Sequence, residues 1–313
     1  MKLSDKMILV TGANGQIGQV LTHRLRQLHG TENVLATDIT KLEDYTEKFE
    51  FLDILNKNRL YEIVGDYGVT QIYHLAAILS ANGEWNPKKT WNVNMNGLLT
   101  MLKLAVDKNI QKVFFPSTIA VFGKTTPRIN TAQHVPLLPE TVYGMSKATG
   151  EYWCNYYNMR YGLDTRSIRY PGIIGYQSLP GGGTTDYAVE IFYAALRGEE
   201  YTCFLNEDTR LPMMFMADAI RATTDIMEAP SEKIKIRSSY NLAAMSFSPS
   251  EIVSEIQKHI PDFKVKYEPD FRQEIAASWT ESIDDSCARE DWGWNHEYDL
   301  EKMVKTMLEK VKI

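Results

Sequence analysis

The stretch MILVTGANGQIG at residues 7–18 decides the fold of this chain. Its apolar start, Met7–Thr11, predicts a buried strand, and a helical pattern of apolar residues runs from Gln16 to His29. Gly12 and Gly15 lie between the strand and the helix, and Gly18 lies in the first turn of the helix. Glycine permits a tight turn and a close approach to the backbone, and the first turn of a helix leaves N–H groups free. A strand, a glycine loop and a helix in this order predict a site for an anionic group.

The first half of the chain repeats the alternation of strand and helix. Further strands are predicted at Asn33–Asp38, Glu50–Asp53, Gln71–Ala76, Lys112–Ser117 and Asp164–Tyr170. Further helices are predicted at Leu60–Tyr67, Asn94–Asn109 and Tyr143–Gly162. Nearly continuous apolar strands separated by helices predict an α/β fold, a doubly wound parallel sheet of the Rossmann type. Beyond Gly175 the pattern changes, and helices near 186–198, 217–228 and 249–259 alternate with short strands, which predicts a smaller C-terminal lobe.

Composition excludes several classes of protein. The chain has 313 residues, 44% of them hydrophobic, and a formal net charge of −6 without a basic cluster, so neither nucleic acid nor a membrane is a predicted partner. Its three cysteines, Cys154, Cys203 and Cys287, fit no metal-ligand spacing, which predicts no metal site and a reducing compartment. The N-terminus leads directly into a strand, and we therefore expect a cytoplasmic protein without a signal peptide.

The glycine loop is predicted to hold the pyrophosphate of a dinucleotide. Asp38 ends the second strand, 20 residues beyond Gly18 (38 − 18). At that distance a carboxylate can accept both ribose hydroxyls of the adenosine and would repel a 2′-phosphate, which favours NAD over NADP. A helix cap or a solvated turn residue is the alternative for Asp38. The loop residues assigned to the cofactor are Gly12, Asn14, Gly15, Gln16, Ile17 and Gly18.

Two further segments are candidates for the same cofactor. Asp53 and Ile54 follow the third strand, where they could receive the adenine amino group and pack against its ring, although Asp53 is equally suited to cap a helix. Leu75, Ala76 and Ala77 end the fourth strand, and small residues there let a dinucleotide lie close to the backbone. With these assignments, residues 1–175 are predicted to be an NAD-binding domain and residues 176–313 a smaller α/β substrate-binding lobe.

Tyr143 and Lys147 are four residues apart on a predicted helix and therefore share one face. Tyrosine has an ordinary pKa of about 10 and is a poor base at neutral pH. A neighbouring ammonium and the positive ring of an oxidised nicotinamide both favour the phenolate, which predicts a lowered pKa for Tyr143. Thr118, at the end of the fifth strand, could hydrogen-bond the reacting oxygen. An exposed Tyr–Lys pair without a function is the alternative.

These features in this order resemble the extended short-chain dehydrogenase/reductases. The matching segments are Thr11–Gly18, His74–Ala77, Asn94–Gly97, Ser117–Thr118, Tyr143 with Lys147, and Arg169–Pro171. The resemblance implies that Thr118, Tyr143 and Lys147 form a catalytic triad, that Asn94 steadies the active site, and that Tyr170 and Pro171 lie beside the nicotinamide. Asn94, Tyr143 and Lys147 are also predicted to contact the cofactor, with Lys147 holding its ribose hydroxyls. It also implies a homodimer through the helices containing residues 94–109 and 143–162.

Two departures from the family pattern concern the substrate. Nucleotide-sugar members usually carry an arginine that can clamp a diphosphate at the position that Leu211 occupies here, with Arg210 one residue away. Residues 180–188, PGGGTTDYA, form either a mobile loop over the pocket or a simple connection. Both stretches are similar to a branch of the family that oxidises the secondary alcohol of L-threonine with NAD to 2-amino-3-ketobutyrate. This resemblance implies that the substrate is bordered by Ser80, Thr118, Tyr143, Thr184, Thr185 and Trp279.

Three functions therefore compete. A dehydrogenase of L-threonine with Tyr143 as general base is favoured. A nucleotide-sugar epimerase or dehydratase could use the same scaffold, but the absent clamp disfavours it. A non-enzymatic NAD-sensing protein is the third, although both Tyr143 and Lys147 are retained. Ser80 could also be an ordinary loop serine and Trp279 a packing residue.

Overall fold

The computed structural model describes residues 6–40 and 46–313. Met1–Asp5, the N-terminal residues that were expected to lead into the first strand, lie outside the described residues. The strands are β1 Ile8–Thr11, β2 Val34–Asp38, β3 Phe49–Phe51, β4 Gln71–His74, β5 Lys112–Thr118, β6 Asp164–Tyr170, β7 Gly172–Ile174, β8 Tyr201–Cys203, β9 Leu211–Phe215, β10 Tyr240–Asn241, β11 Met245–Phe247 and β12 Val265–Tyr267. The helices are α1 Gln16–His29, α2 Lys57–Tyr67, α3 Ser80–Glu84, α4 Pro87–Trp91, α5 Gly97–Asp107, α6 Val142–Tyr161, α7 Tyr187–Arg197, α8 Met216–Glu228, α9 Pro249–Gln257, α10 Phe271–Ala277, α11 Ser286–Trp292 and α12 Leu300–Lys310.

Seven strands form one parallel sheet in the order β10-β6-β5-β4-β1-β2-β3. The order reverses direction at β1, so the crossovers before and after it place helices on opposite faces. The predicted doubly wound parallel sheet is confirmed. Parallel strands present their carboxyl ends at one edge, and this edge carries the glycine loop after β1 and the segments that follow β4, β5 and β6.

Alternate residues of β1 pack into two different hydrophobic clusters. Ile8 and Val10 join the cluster that contains α1 and α8, whereas Leu9 joins the cluster that contains α2 and α5. Successive side chains of a strand point to opposite faces, so a strand that is covered on both sides must be apolar throughout. This is the physical reason for the unbroken apolar run that predicted the strand.

Several helix and strand ends differ from the predicted ones. The second helix begins at Lys57 rather than Leu60, because the side chain of Asn56 accepts a hydrogen bond from the Arg59 N–H and caps it. The helix predicted from Asn94 begins at Gly97 and is preceded by α4 and by a π-helical turn at Asn92–Asn96. Buried contacts of Asn94, described below, hold that turn in place.

The chain beyond β6 builds two small sheets, β7-β9-β11 and β8-β12, with α7, α9 and α12 packed around a third hydrophobic cluster. β10 returns to the large sheet and pairs with Ile168 and Arg169 of β6. The division at residue 175 stays a prediction. None of the helices in the described part of the chain combines the length and apolar character that crossing a membrane requires.

Candidate active site

A cleft opens at the carboxyl edge of the large sheet. Clefts at this edge are where doubly wound proteins bind their ligands. The predicted site residues that line it are Gly12, Gly15, Gln16, Ile17, Gly18, Leu75, Ala77, Ser80, Thr118, Tyr143, Lys147, Tyr170, Pro171, Thr184, Thr185 and Trp279. Residues that are far apart in the sequence thus meet in one place.

The glycine loop fits closely against β4 and leaves the start of α1 open. Gly12 has φ of +67°, and a Cβ there would lie 2.7 Å from the backbone N of Ala76. A Cβ on Gly18 would lie 2.2 Å from the Gly12 carbonyl oxygen. Gly15 caps α1 without a side-chain hydrogen bond to the first N–H groups. These N–H groups therefore face the cleft without a side-chain acceptor, as a pyrophosphate site requires.

Asp38 lies next to this loop at the end of β2. Its carboxylate accepts hydrogen bonds from the backbone N–H groups of Asn14, at 3.0 Å, and Ile39, at 2.7 Å. Asn14 in turn donates through its side chain to the carbonyl of Thr40. Asp38 is partly exposed and caps no helix, so a carboxylate with a solvent-facing side is held beside the glycine loop.

Six predicted cofactor residues do not line the cleft, namely Asn14 and Asp38 beside the glycine loop, and Asp53, Ile54, Ala76 and Asn94. Asp53 accepts a hydrogen bond from the Leu55 N–H within its own turn, and Ile54 is buried in the core cluster of α2 and α5. Ala76 contacts the glycine loop with its backbone, as described above. Asn94 is buried, accepts from the Ile78 N–H at 2.8 Å and donates to Ser146 Oγ at 3.1 Å. Asn94 therefore ties the segment before α3 to α6, a steadying arrangement, whereas an adenine contact at Ile54 stays a prediction.

Thr118 and Tyr143 face each other across the cleft floor. Thr118 is the last residue of β5, and its hydroxyl accepts a hydrogen bond from the Ala120 N–H at 3.2 Å. The neighbouring Thr118 hydroxyl lowers the pKa of the Tyr143 phenol. Burial has the larger and opposite effect and raises the pKa of Tyr143 to about 12. In the protein without nicotinamide, desolvation therefore outweighs the neighbouring polar groups, and the lowered pKa of Tyr143 beside oxidised nicotinamide stays a prediction.

Lys147 is buried one helical turn after Tyr143. Its Nζ donates to the Pro116 carbonyl at 2.8 Å and lies 4.6 Å from the ring centre of Phe115 and 5.7 Å from that of Tyr143. Burial lowers the pKa of Lys147 to about 7. Burial thus moves the pKa of this amine far below its ordinary value and leaves it ready to change charge near neutrality.

The substrate end of the cleft brings Ser80, Thr184, Thr185 and Trp279 together with Tyr143. Ser80 begins α3 and is buried, and Trp279 is buried in the third hydrophobic cluster while still bordering the cleft. The hydroxyl of Thr184 is buried and has no hydrogen-bond partner among the described residues. An unpaired buried hydroxyl costs free energy unless a ligand completes it, so Thr184 points to a polar ligand.

Asp186 also lines the cleft, and sequence reasoning missed it. Its carboxylate accepts hydrogen bonds from the N–H groups of Gly182 and Gly183, both at 2.8 Å, and burial raises its pKa. The Gly181 carbonyl accepts from the side chain of Asn82 at 3.1 Å. The glycine-rich loop is therefore closed on itself by Asp186 and joined to α3 by Asn82. The signal for Asp186 in the sequence was its position directly before the apolar run of α7, because Asp is common at the start of helices.

Leu211 and Arg210 lie away from the cleft lining. Leu211 is fully buried in β9, and Arg210 donates to the Ser246 carbonyl at 2.6 Å and pairs with Glu251. Among the described residues of the lining, the charged side chains are Lys147 and Asp186, and no arginine occurs. The cleft therefore offers no guanidinium for a diphosphate.

Comparison with known proteins now places the chain. A family model described as "NAD dependent epimerase/dehydratase family" matches residues 8–243. The chain belongs to the NAD-dependent epimerase/dehydratase family. This confirms the predicted kinship with the extended short-chain dehydrogenase/reductases, and it confirms an NAD-dependent enzyme over a non-enzymatic NAD-sensing protein.

Individual members of the NAD-dependent epimerase/dehydratase family match the whole chain. An uncharacterized epimerase/dehydratase of Staphylococcus aureus is 46% identical over 312 residues, 98% of this chain and 97% of the relative. A GalE-like L-threonine dehydrogenase from Cupriavidus necator, solved in its holo form, is 50% identical with a TM-score of 0.96 and coverage of 98% and 100%. A monomeric L-threonine 3-dehydrogenase of metagenomic origin, solved in its apo form, is 48% identical with a TM-score of 0.95 and coverage of 97% and 98%.

Proposed function

We propose that this enzyme oxidises the secondary alcohol of L-threonine to 2-amino-3-ketobutyrate with NAD. The observation that carries the proposal is the composition of the cleft. Tyr143, Thr118 and Lys147 stand beside short hydroxyl side chains and a single carboxylate, Asp186, with no arginine in the described lining. Such a cleft suits a small polar substrate. The identities of 50% and 48% to two proteins described as L-threonine dehydrogenases support the same choice.

The residues of the cleft fit the cofactor as well as the substrate. The open start of α1, the close approach at Gly12 and the carboxylate of Asp38 are suited to the pyrophosphate and the adenosine ribose of NAD. Asp38 would repel the 2′-phosphate of NADP. Tyr170 and Pro171 line the cleft beyond the glycine loop, where the nicotinamide end is expected.

In the reaction, the substrate loses the proton of its hydroxyl group and a hydride from the carbon that carries this hydroxyl. Thr118 donates a hydrogen bond that orients the hydroxyl oxygen, and Tyr143 Oη takes the proton. When bound, NAD supplies the hydride acceptor and a positive ring that favours the phenolate. The amine of Lys147 is buried near the Tyr143 phenol. The apolar side chains of Leu75 and Ile119 help to keep water out of the cleft.

The nucleotide-sugar alternative requires a place for a diphosphate beyond the cofactor. Arg210, the arginine nearest to the expected clamp position, is engaged with Ser246 and Glu251. Arg210 is also not among the residues that line the cleft. We therefore favour the amino acid substrate.

The decisive experiment incubates the purified protein with NAD and a panel of substrates, and follows NADH formation at 340 nm. The panel contains L-threonine, D-threonine, L-serine and simple secondary alcohols, with UDP-glucose and UDP-galactose tested in parallel for interconversion. NADH formation that depends on L-threonine supports the proposal. Interconversion of the UDP-sugars without net NADH would instead establish the epimerase.

We also propose that the chain forms a homodimer through the outward faces of α5 and α6. Tyr152, Tyr156 and Tyr161 on α6 expose 60%, 42% and 51% of their surface. A shallow groove between Tyr152, Trp153 and Tyr156 is mostly apolar, and exposed apolar patches of this kind mark interfaces. One relative is described as monomeric, so the oligomeric state has to be measured for this chain. Light scattering should give the mass of a dimer for the wild type and the mass of a monomer for the double variant Tyr152→Glu, Tyr156→Glu.

For the compartment we propose the cytoplasm. Cys154, Cys203 and Cys287 are all unpaired, and the first two are buried. Free thiols persist in reducing compartments. Fractionation of the native cells, with the protein followed by an antibody, tests this assignment.

A further inference from the structure

A buried polar cluster lies directly behind the proposed catalytic groups. Its centre is Glu151 on α6, one helical turn after Lys147 and fully buried. The Glu151 carboxylate accepts from Ser117 Oγ at 2.5 Å and from Arg169 Nε at 2.9 Å and Nη2 at 2.7 Å. Arg169 Nη1 donates to the Gln133 carbonyl and to Asn241 Oδ1, both at 3.0 Å.

The partners of Glu151 occupy special positions in the sheet. Ser117 of β5 and Arg169 of β6 are cross-strand neighbours. Ser117 itself borders the cleft, and the residues that follow the two, Thr118 and Tyr170, line it as well. Glu151 therefore holds two adjacent strand ends from a single point on α6. The same helix carries Tyr143 and Lys147, so this contact bridges the two elements that supply the three catalytic groups.

We propose that the hydrogen bond between Ser117 and Glu151 is a positioning contact that sets Thr118 against Tyr143. This inference rests on the roles proposed for those two residues above. The ion pair between Glu151 and Arg169 already compensates the buried charge of the carboxylate, so the hydroxyl of Ser117 is not needed for that purpose. What the hydroxyl adds is a directional link from α6 to the backbone next to Thr118. Misplacement of a reacting group by about 1 Å can cost about 10²-fold in rate.

The test compares Ser117→Ala with Ser167→Ala. Ser167 is an equally buried serine of the neighbouring strand β6, but it bonds to Ser239 Oγ at 2.9 Å rather than to α6. We expect Ser117→Ala to lower kcat about tenfold while KM for NAD changes less than about twofold, and Ser167→Ala to keep wild-type kcat within about twofold. The rising limb of kcat with pH should move to higher pH in Ser117→Ala, because a displaced Thr118 stabilises the phenolate less.

A double-mutant cycle separates positioning from ordinary structural support. If Ser117 acts through Thr118, the Ser117→Ala change should cost less than about twofold in a Thr118→Ala background. An undiminished loss in that background, or a loss in Ser167→Ala equal to that in Ser117→Ala, would overturn the inference. Unfolding curves identify any variant whose fold is compromised.

Failure of the proposed function would be seen separately. If the wild type forms no NADH from L-threonine, that function is wrong, and crystal structures of wild type and Ser117→Ala decide the inference about positioning. An increase of about 0.5 Å or more between Thr118 Oγ1 and Tyr143 Oη supports it, and an unchanged separation refutes it.

Discussion

The two walls of the cleft are built in different ways. The wall with the glycine loop, Thr118 and the Tyr143–Lys147 pair grows from one parallel sheet, where successive strands end at the same edge. The facing wall combines residues 183–186 with Trp279, whose segment is held by hydrogen bonds from Glu281 N–H and Ser282 N–H to the Arg128 carbonyl, at 2.7 and 3.1 Å. We therefore expect changes in the first wall to alter the chemistry and changes in the second to alter substrate binding.

The largest effect is expected at Tyr143. Tyr143→Phe removes the hydroxyl that takes the substrate proton, and general acid–base groups contribute about 10²–10⁴-fold. We expect kcat with L-threonine to fall by that factor while KM stays nearly constant. Steady-state kinetics under saturating NAD provide the measurement, and circular dichroism confirms folding. A folded variant that keeps more than a third of the wild-type rate would show that the wall with Tyr143 does not perform the proton transfer.

Lys147 should reveal itself through the pH dependence of stability. Its pKa is about 7 in the folded protein against 10.5 ordinarily, so between these values the unfolded chain binds one proton more and the free energy of unfolding rises with pH. The slope from this group is about 1.4 kcal/mol per pH unit. The Lys147→Met variant lacks this contribution to the pH dependence of stability. The stability of Lys147→Met relative to the wild type should therefore fall by about 2 kcal/mol between pH 7 and pH 9 in urea unfolding. If the free energies of unfolding of the wild type and of Lys147→Met change in parallel with pH, the Lys147 amine is well solvated in the folded protein and the prediction is wrong.

Sequence order was enough to predict the first wall, because the glycine loop and Thr118 lie at the ends of apolar strands, and Tyr143 and Lys147 share one face of a predicted helix. The exact fit at the substrate side was harder to predict. β10 has two residues, and its place in the large sheet depends on buried contacts of Asn241 with the side chain of Gln133 and the carbonyls of Thr131 and Asp284. Such contacts join residues between 43 and 110 positions apart and leave no local period in the sequence.

The residues that sequence reasoning placed or missed show the same limit. Ile54 follows a strand, as an adenine-packing residue would, yet its side chain fills the core beside Gly97. Asp186 lies in the run of glycines and threonines that was singled out, but its role depends on backbone N–H groups that only the folded loop directs toward it. A pattern of residue types shows which groups are available, whereas the fold decides which of them face the cleft.

Asp38 tests the cofactor-binding part of the molecule, beside the glycine loop of the first wall. Asp38→Ala removes a carboxylate that is suited to the ribose hydroxyls and would repel a 2′-phosphate. A hydrogen bond to a charged group contributes about 1.5–3 kcal/mol, so we expect the preference for NAD over NADP in kcat/KM to fall by about 10–100-fold. Asp38→Asn is the matched control, because it keeps the size of the side chain and loses the charge. An unchanged ratio in both variants would place the ribose elsewhere.

The smallest effect is expected in the second wall, at Thr184. Thr184→Val keeps the shape of the side chain and removes a buried hydroxyl that has no partner among the described residues, so folding loses no hydrogen bond and stability should not decrease. If that hydroxyl bonds the substrate, KM for L-threonine should rise about 5–10-fold with kcat changed little. Thr165→Val is the control, since the equally buried Thr165 hydroxyl donates to the Cys154 carbonyl at 3.0 Å and should instead cost stability. A fall in kcat at constant KM in Thr184→Val would break the division of labour between the walls, because it would mean that Thr184 orients the reacting groups.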